Sequence, residues 1–111
     1  MAVVRGRSML PTLQEGDRLL VLYGVRVRPG RVVLARLADG TVALKRATVR
    51  RTTRDGGPAW WLLSDNAAEG VDSRHRGPVP DPDVLGVAVL RVWPRPGRVT
   101  APATACDEPH A

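Results

Sequence analysis

A serine and a lysine are the two side chains in this sequence whose types could do covalent chemistry together. Ser8 lies in Gly6-Arg7-Ser8-Met9-Leu10-Pro11-Thr12-Leu13, between a glycine and an apolar, proline-marked turn. Lys45 is the only lysine: the chain has 17 Lys+Arg, so the other 16 (17 minus 1) are arginine. A serine hydroxyl is a weak nucleophile until a base takes its proton during attack. A neutral lysine can be that base, and Ser-Lys pairs are a known convergent variant of the serine triad. Arginine cannot, because its guanidinium does not deprotonate in proteins. The role sets a condition: the pKa of Lys45 must fall well below the ordinary value of about 10.4, through burial in an apolar site. A lone lysine is also what chance leaves in an arginine-biased composition, and residue types do not decide between the two.

Other chemistries fit less well. His75 sits among arginines in a polar loop and His110 is the penultimate residue. Neither has a convincing orienting carboxylate, which argues against a Ser-His-Asp triad. Cys106, His75 and His110 lack the spacing of metal ligands, so neither a metal nor another cofactor is expected. A single cysteine allows no internal disulfide.

At 111 residues the chain makes one domain with a modest core. Hydrophobic content of 43% and charged content of 25% are those of an ordinary soluble globular protein. The net charge of +6 raises nucleic acid as a partner. The arginines are scattered and no aromatic-studded RNA motif is present, so no nucleic acid partner is expected. The apolar run Ala2-Val3-Val4 is too short for a signal-peptide core, and Val84 to Leu90 is strand-length. These readings point to a soluble cytoplasmic chain without an integral membrane segment, expected to be a monomer.

The elements that must position Ser8 and Lys45 read as strands. Met1 to Arg5 is a short first strand, and Met9 to Leu13 has room for one helical turn. Arg18 to Tyr23 is a branched-rich strand, and Pro29-Gly30 is a turn before a strand from Arg31 to Leu37. Asp39-Gly40 is a two-residue hairpin signal, and Thr41 to Arg46 returns with Lys45, with room to run on to Thr53. Alternation puts Val42 and Leu44 on one face and Thr41, Ala43 and Lys45 on the other. After a turn at Asp55-Gly56-Gly57 come Trp60 to Leu63, a polar loop from Ser64 to Arg74, and a last strand from Asp83 to Val92. The composition then shifts to Pro, Arg, Thr and Ala, so 1–93 reads as the folded domain and 94–111 as a disordered tail. The fold class is mostly β.

With these residues in hand, the chain resembles the type I signal peptidase family of Ser/Lys endopeptidases. Residues Gly6 to Leu13, followed by Gly16-Asp17 and Leu20-Val21, resemble its nucleophile box. Gly30-Arg31-Val32-Val33 and Leu44-Lys45-Arg46 are similar to the strand pair that delivers the general base. Asp65-Asn66, Asp72-Ser73-Arg74 and Gly77-Pro78-Val79 resemble the closing box that buttresses the active site. The resemblance implies short antiparallel sheets in a compact, partly open barrel with little helix, as in signal peptidases and self-cleaving repressors. It implies Ser8 as nucleophile, Lys45 as general base, and the Ser8 backbone N–H as oxyanion donor. It also implies a supporting Asp72–Arg74 ion pair, Ser73 near the lysine, and Met9 and Pro11 on the substrate side. Gly6 stands where some relatives have a hydroxyl that completes the oxyanion hole, and Gly70 where some have a serine that contacts the lysine.

A short version of this family is most similar to the maturation proteases of nickel-type superoxide dismutase. That likeness implies a precursor protein as partner, the dismutase proenzyme, whose N-terminal extension is removed. Two other readings compete. One is a self-cleaving repressor, which cuts a linker upstream of its own nucleophile, whereas seven residues precede Ser8. The other is a binding module that keeps the fold without catalysis, to which Gly6 and Gly70 lend weight.

Overall fold

A computed structural model describes residues 1–66, 68 and 73–99. Alternating branched side chains give strands wherever the sequence shows them. These are β1 (Ala2–Val3), β2 (Arg18–Tyr23), β3 (Val32–Arg36), β4 (Val42–Thr52), β5 (Pro58–Leu63), β6 (Val79–Pro80), β7 (Val84–Trp93) and β8 (Gly97–Arg98). A single helical turn, α1 (Ser73–Arg76), precedes β6, and a 3-10 turn, Asp81–Asp83, follows it. The fold is mostly β, as expected. Among the described residues eight strands join one antiparallel sheet, ordered β1-β2-β7-β3-β4-β5-β6 with β8 on β7, and its two ends do not pair.

Two long strands hold this sheet together, β4 with 11 residues and β7 with 10. The hairpin between β3 and β4 forms where Asp39-Gly40 predicts it. The Leu37 N–H donates to the Thr41 carbonyl at 2.7 Å. The backbone N–H and then the hydroxyl of Thr41 hold the Asp39 carboxyl below its ordinary range. Where β2 crosses β7, only glycine fits: a Cβ on Gly86 would meet Val21 Cγ1 at 2.7 Å and the Leu22 carbonyl oxygen at 2.8 Å.

The sheet buries apolar side chains on both faces. One cluster gathers Val4, Met9, Leu13, Leu19, Val21, Val32 and Leu44. The other gathers Val33, Ala35, Ala47, Trp60, Leu62, Val79 and Val87. Residues 44–47 of β4 run between them, and all four are buried. Such two-sided burial is usual for a central strand.

The folded unit extends past the expected boundary at residue 93. β8 pairs Arg98 with Leu90 and Gly97 with Arg91, and Val99 is buried in the first cluster. The physical reason is local: a two-residue strand and one valine have no periodicity to show in a Pro- and Arg-rich stretch. Residues 100–111, with Cys106 and His110, lie outside the described residues, as do Gly70 and Asp72.

Candidate active site

Ser8 is positioned through the backbone and its neighbours rather than through its hydroxyl. β1 lies on β2, and the Val4 N–H donates to the Asp17 carbonyl at 2.8 Å while the Gly16 N–H donates back to Val4. The loop between closes as one turn, Leu13 N–H to the Met9 carbonyl at 2.9 Å. Met9 and Leu13, four residues apart, therefore share a face, and both are buried in the first cluster. Ser8 sits half-buried one residue before this anchor, on the rim of a cavity of about 310 Å³. Val3, Met9, Leu34 and Leu44 are among the residues that line it. Pro11 is exposed and stands outside that lining.

Gly6 has a φ of +77, in the left-handed region, and nothing lies within 4 Å of where a Cβ would be. Backbone conformation, not space, favours glycine here. A hydroxyl-bearing residue at this position would have to change the turn that leads into Ser8. Among the described residues, neither the N–H nor the hydroxyl of Ser8 makes a hydrogen bond.

Lys45 is buried, at only 2% exposure, and burial is what the base role needs of it. Its amine donates to Ser64 Oγ at 2.9 Å rather than to Ser8. The register explains the partner. Arg46 pairs with Leu63 and Ala47 with Leu62, so one step further Lys45 stands opposite Ser64. A bulge between Ala47 and Val49 sets this register, and the Thr48 hydroxyl donates to the Trp61 carbonyl there at 2.8 Å. Were Thr48 paired in step rather than bulged, Lys45 would fall opposite Asp65.

Residues 64–66 join the two halves of the site. Ser64 takes the lysine amine, and Asp65 takes Arg46 through two bonds, Nε at 3.0 Å and Nη2 at 2.6 Å. Both partners of that ion pair are buried, at 9% and 6% side-chain exposure. Arg46 also reaches the Gly30 carbonyl at 2.8 Å, and the Thr12 hydroxyl donates to Asp65 Oδ2, the oxygen that also takes Arg46 Nη2. Asn66 completes the bridge, its N–H on the Ser8 carbonyl at 2.8 Å and its Nδ2 on the Arg7 carbonyl at 3.1 Å. The loop that carries Ser8 is thus tied to β4 from both directions.

Ser73 is buried, and its hydroxyl accepts the Leu62 N–H at 2.8 Å, bracing α1 against β5 two residues before Ser64. Arg74 is exposed on α1; its expected pairing with Asp72 lies outside the described residues. Ser64, Arg46 and Thr12 were not singled out by sequence reasoning. Ser64 looked like the first residue of a polar loop, and only its register opposite Lys45 marks it. No group of three or more His, Cys, Asp or Glu able to hold a metal occurs among the described residues.

A family model described as Peptidase S24-like matches residues 1–78. The chain belongs to this family. It is similar to mitochondrial inner membrane protease subunit 1 of Schizosaccharomyces pombe, 30% identical over 113 residues that cover 82% of this chain and 71% of that protein. It is also similar to mitochondrial ATP-independent inner membrane protease subunit 1a of Arabidopsis thaliana, 53% identical over 34 residues, or 31% of this chain and 20% of that one. The Peptidase S24-like match contains Ser8, Lys45 and the Ser64-to-Asn66 bridge, and it agrees with the Ser/Lys peptidase family that the three boxes imply. No helix among the described residues is long and apolar enough to cross a membrane.

Proposed function

We propose that this chain is a serine endopeptidase in which Ser8 is the nucleophile and Lys45 the general base. One observation carries the reading. The only lysine of the chain is buried, and its amine is held by the three-residue segment that also grips the Ser8 backbone. Burial of an amine disfavours its ammonium form, which is the state a base must avoid. Ser8 Oγ then attacks the scissile carbonyl carbon as Lys45 takes its proton. The tetrahedral oxyanion is met by the Ser8 N–H, which is uncommitted among the described residues. Collapse expels the new amine with the proton from Lys45, and water hydrolyses the ester with Lys45 again as base.

In the structure the amine rests on Ser64. Catalytic hydrogen bonds are often long or poorly aligned in apo sites and tighten with substrate bound, and in this reading the approach of the amine to Ser8 Oγ is completed in that way. Arg46, Asp65 and Thr12 hold the surrounding loop and are positioning residues. The closing-box likeness gives Ser73, Arg74 and Asp72 the same supporting task. Met9 shapes the apolar cavity beside Ser8, where a substrate side chain would sit; Pro11 is assigned to the substrate side by the box likeness alone.

The substrate in this reading is a precursor protein with a removable N-terminal extension. The likeness to the short maturation proteases extends it to the nickel-type superoxide dismutase proenzyme. The relatives' names, both inner membrane proteases, support a proteolytic task without choosing that substrate. Incubating purified proenzyme with wild type and with Ser8→Ala tests both levels. Cleavage by wild type alone supports the whole reading. If the dismutase precursor stays intact while an unrelated precursor is cut in a Ser8-dependent manner, the substrate is wrong and the chemistry stands.

A further inference from the structure

A second, larger concavity of about 730 Å³ lies away from Ser8, and no part of the peptidase chemistry uses it. One wall is the connection between β2 and β3, residues 25–29, where the sequence alternates Val25-Arg26-Val27-Arg28. The other wall is Arg50 on β4 with Trp60 on β5 and Asp81.

Its charge is unbalanced. Arg50 is neutralised by Asp81, through two bonds at 2.9 and 3.1 Å, and its guanidinium lies over the Trp60 ring at 4.8 Å. Arg26 and Arg28 are exposed, and neither has an ion-pair or hydrogen-bond partner through its side chain among the described residues. Asp81 is the only acid in the lining and is already engaged, so two arginines face the groove uncompensated.

The same segment has open backbone. Residues 25–27 are neither helical nor paired, and their N–H and C=O groups make no backbone hydrogen bond among the described residues. Open backbone of this kind is what an added polypeptide strand can pair with, while side chains set its specificity. Nucleic acid fits poorly. Single-stranded bases need an exposed aromatic face, and Trp60 is 3% exposed with Arg50 already on it.

We propose that this groove binds an acidic polypeptide segment, with carboxylates at alternate positions on Arg26 and Arg28 and its backbone on residues 25–27. The proposal does not rest on the reaction at Ser8. The segment belongs to a partner protein rather than to the substrate, and its chemistry is alternating acid in an extended strand.

Fluorescence anisotropy tests it with a labelled Asp-Val repeat peptide, the matching Asn-Val peptide, and a single-stranded oligonucleotide of equal charge. The wild-type chain binds the Asp-Val peptide and not the Asn-Val one, and binding weakens as salt is raised. The double variant Arg26→Glu/Arg28→Glu weakens it about tenfold or more, since it replaces two attractions by two repulsions at exposed positions. Thermal melting of that variant checks that the fold is kept. The proposal is overturned if no peptide binds, if the Asn-Val peptide binds equally, or if the double variant binds as wild type does. An oligonucleotide bound as tightly as the peptide, and lost in the same variant, overturns it in favour of a nucleic acid groove.

Discussion

Two arginines of β4, four residues apart, make the same kind of pair in opposite surroundings. In the middle of the strand Arg46 grips Asp65 through two bonds, with side chains 9% and 6% exposed. Towards its end Arg50 grips Asp81 through two bonds, with side chains 48% and 39% exposed. Geometry is nearly the same, so the difference is water. In the exposed pair both ions keep most of their hydration and the pair is worth little, about 0–1 kcal/mol. In the buried pair both ions have left water, and each tolerates burial only because the other is there. The buried pair holds the site in place, and the exposed pair is free to change.

Asp65→Ala breaks that contrast most sharply. It strands the Arg46 guanidinium in a buried site and removes the acceptor of Thr12, so the cost is about 3–5 kcal/mol. At this domain size a melting experiment should show a drop of roughly 4–8 °C for each kcal/mol. A drop as small as that of a surface variant would contradict the buried reading. The mirror change, Asp81→Ala, should cost less than about 1 kcal/mol and leave cleavage unaffected.

Between these extremes stands Ser64→Ala. Losing one buried acceptor of the lysine amine should cost about 1 kcal/mol in stability. Its larger effect should be on turnover, because Ser64 fixes where the amine rests. We expect a lower kcat with an unchanged KM, and partial rescue by Ser64→Thr. A change in KM alone would make Ser64 a part of the substrate site instead. In wild type the rate should rise with pH as Lys45 loses its proton, and a profile flat from mildly acidic to alkaline pH would count against the lysine base.

Much of this was legible in the sequence where local rules dominate. β2 runs over Arg18–Tyr23 as its branched side chains predict, and the Asp39-Gly40 hairpin delivers Lys45 on the returning strand. Those features depend on neighbours within a few residues. The alternation on β4 was legible, but the coverage of both its faces was not, because Leu44 and Ala47 are buried by elements distant in the chain. α1, β6 and β8 each span at most four residues, too few to show a period. Ser64 was missed for a different reason. Its place opposite Lys45 depends on one bulge at Thr48, and a shift of one residue would have put Asp65 there. Nothing in the composition of a polar loop reports that shift.

Labelling Ser8 with a serine-reactive acylating probe tests the central claim most directly, with the modified residue located by mass spectrometry in wild type and in Lys45→Arg. The probe needs only an activated hydroxyl and no knowledge of the substrate. The account predicts acylation of Ser8 in wild type and its loss in Lys45→Arg, with both proteins folded. An unlabelled Ser8 in the folded wild type, or equal labelling in the two proteins, would contradict a Ser8–Lys45 dyad.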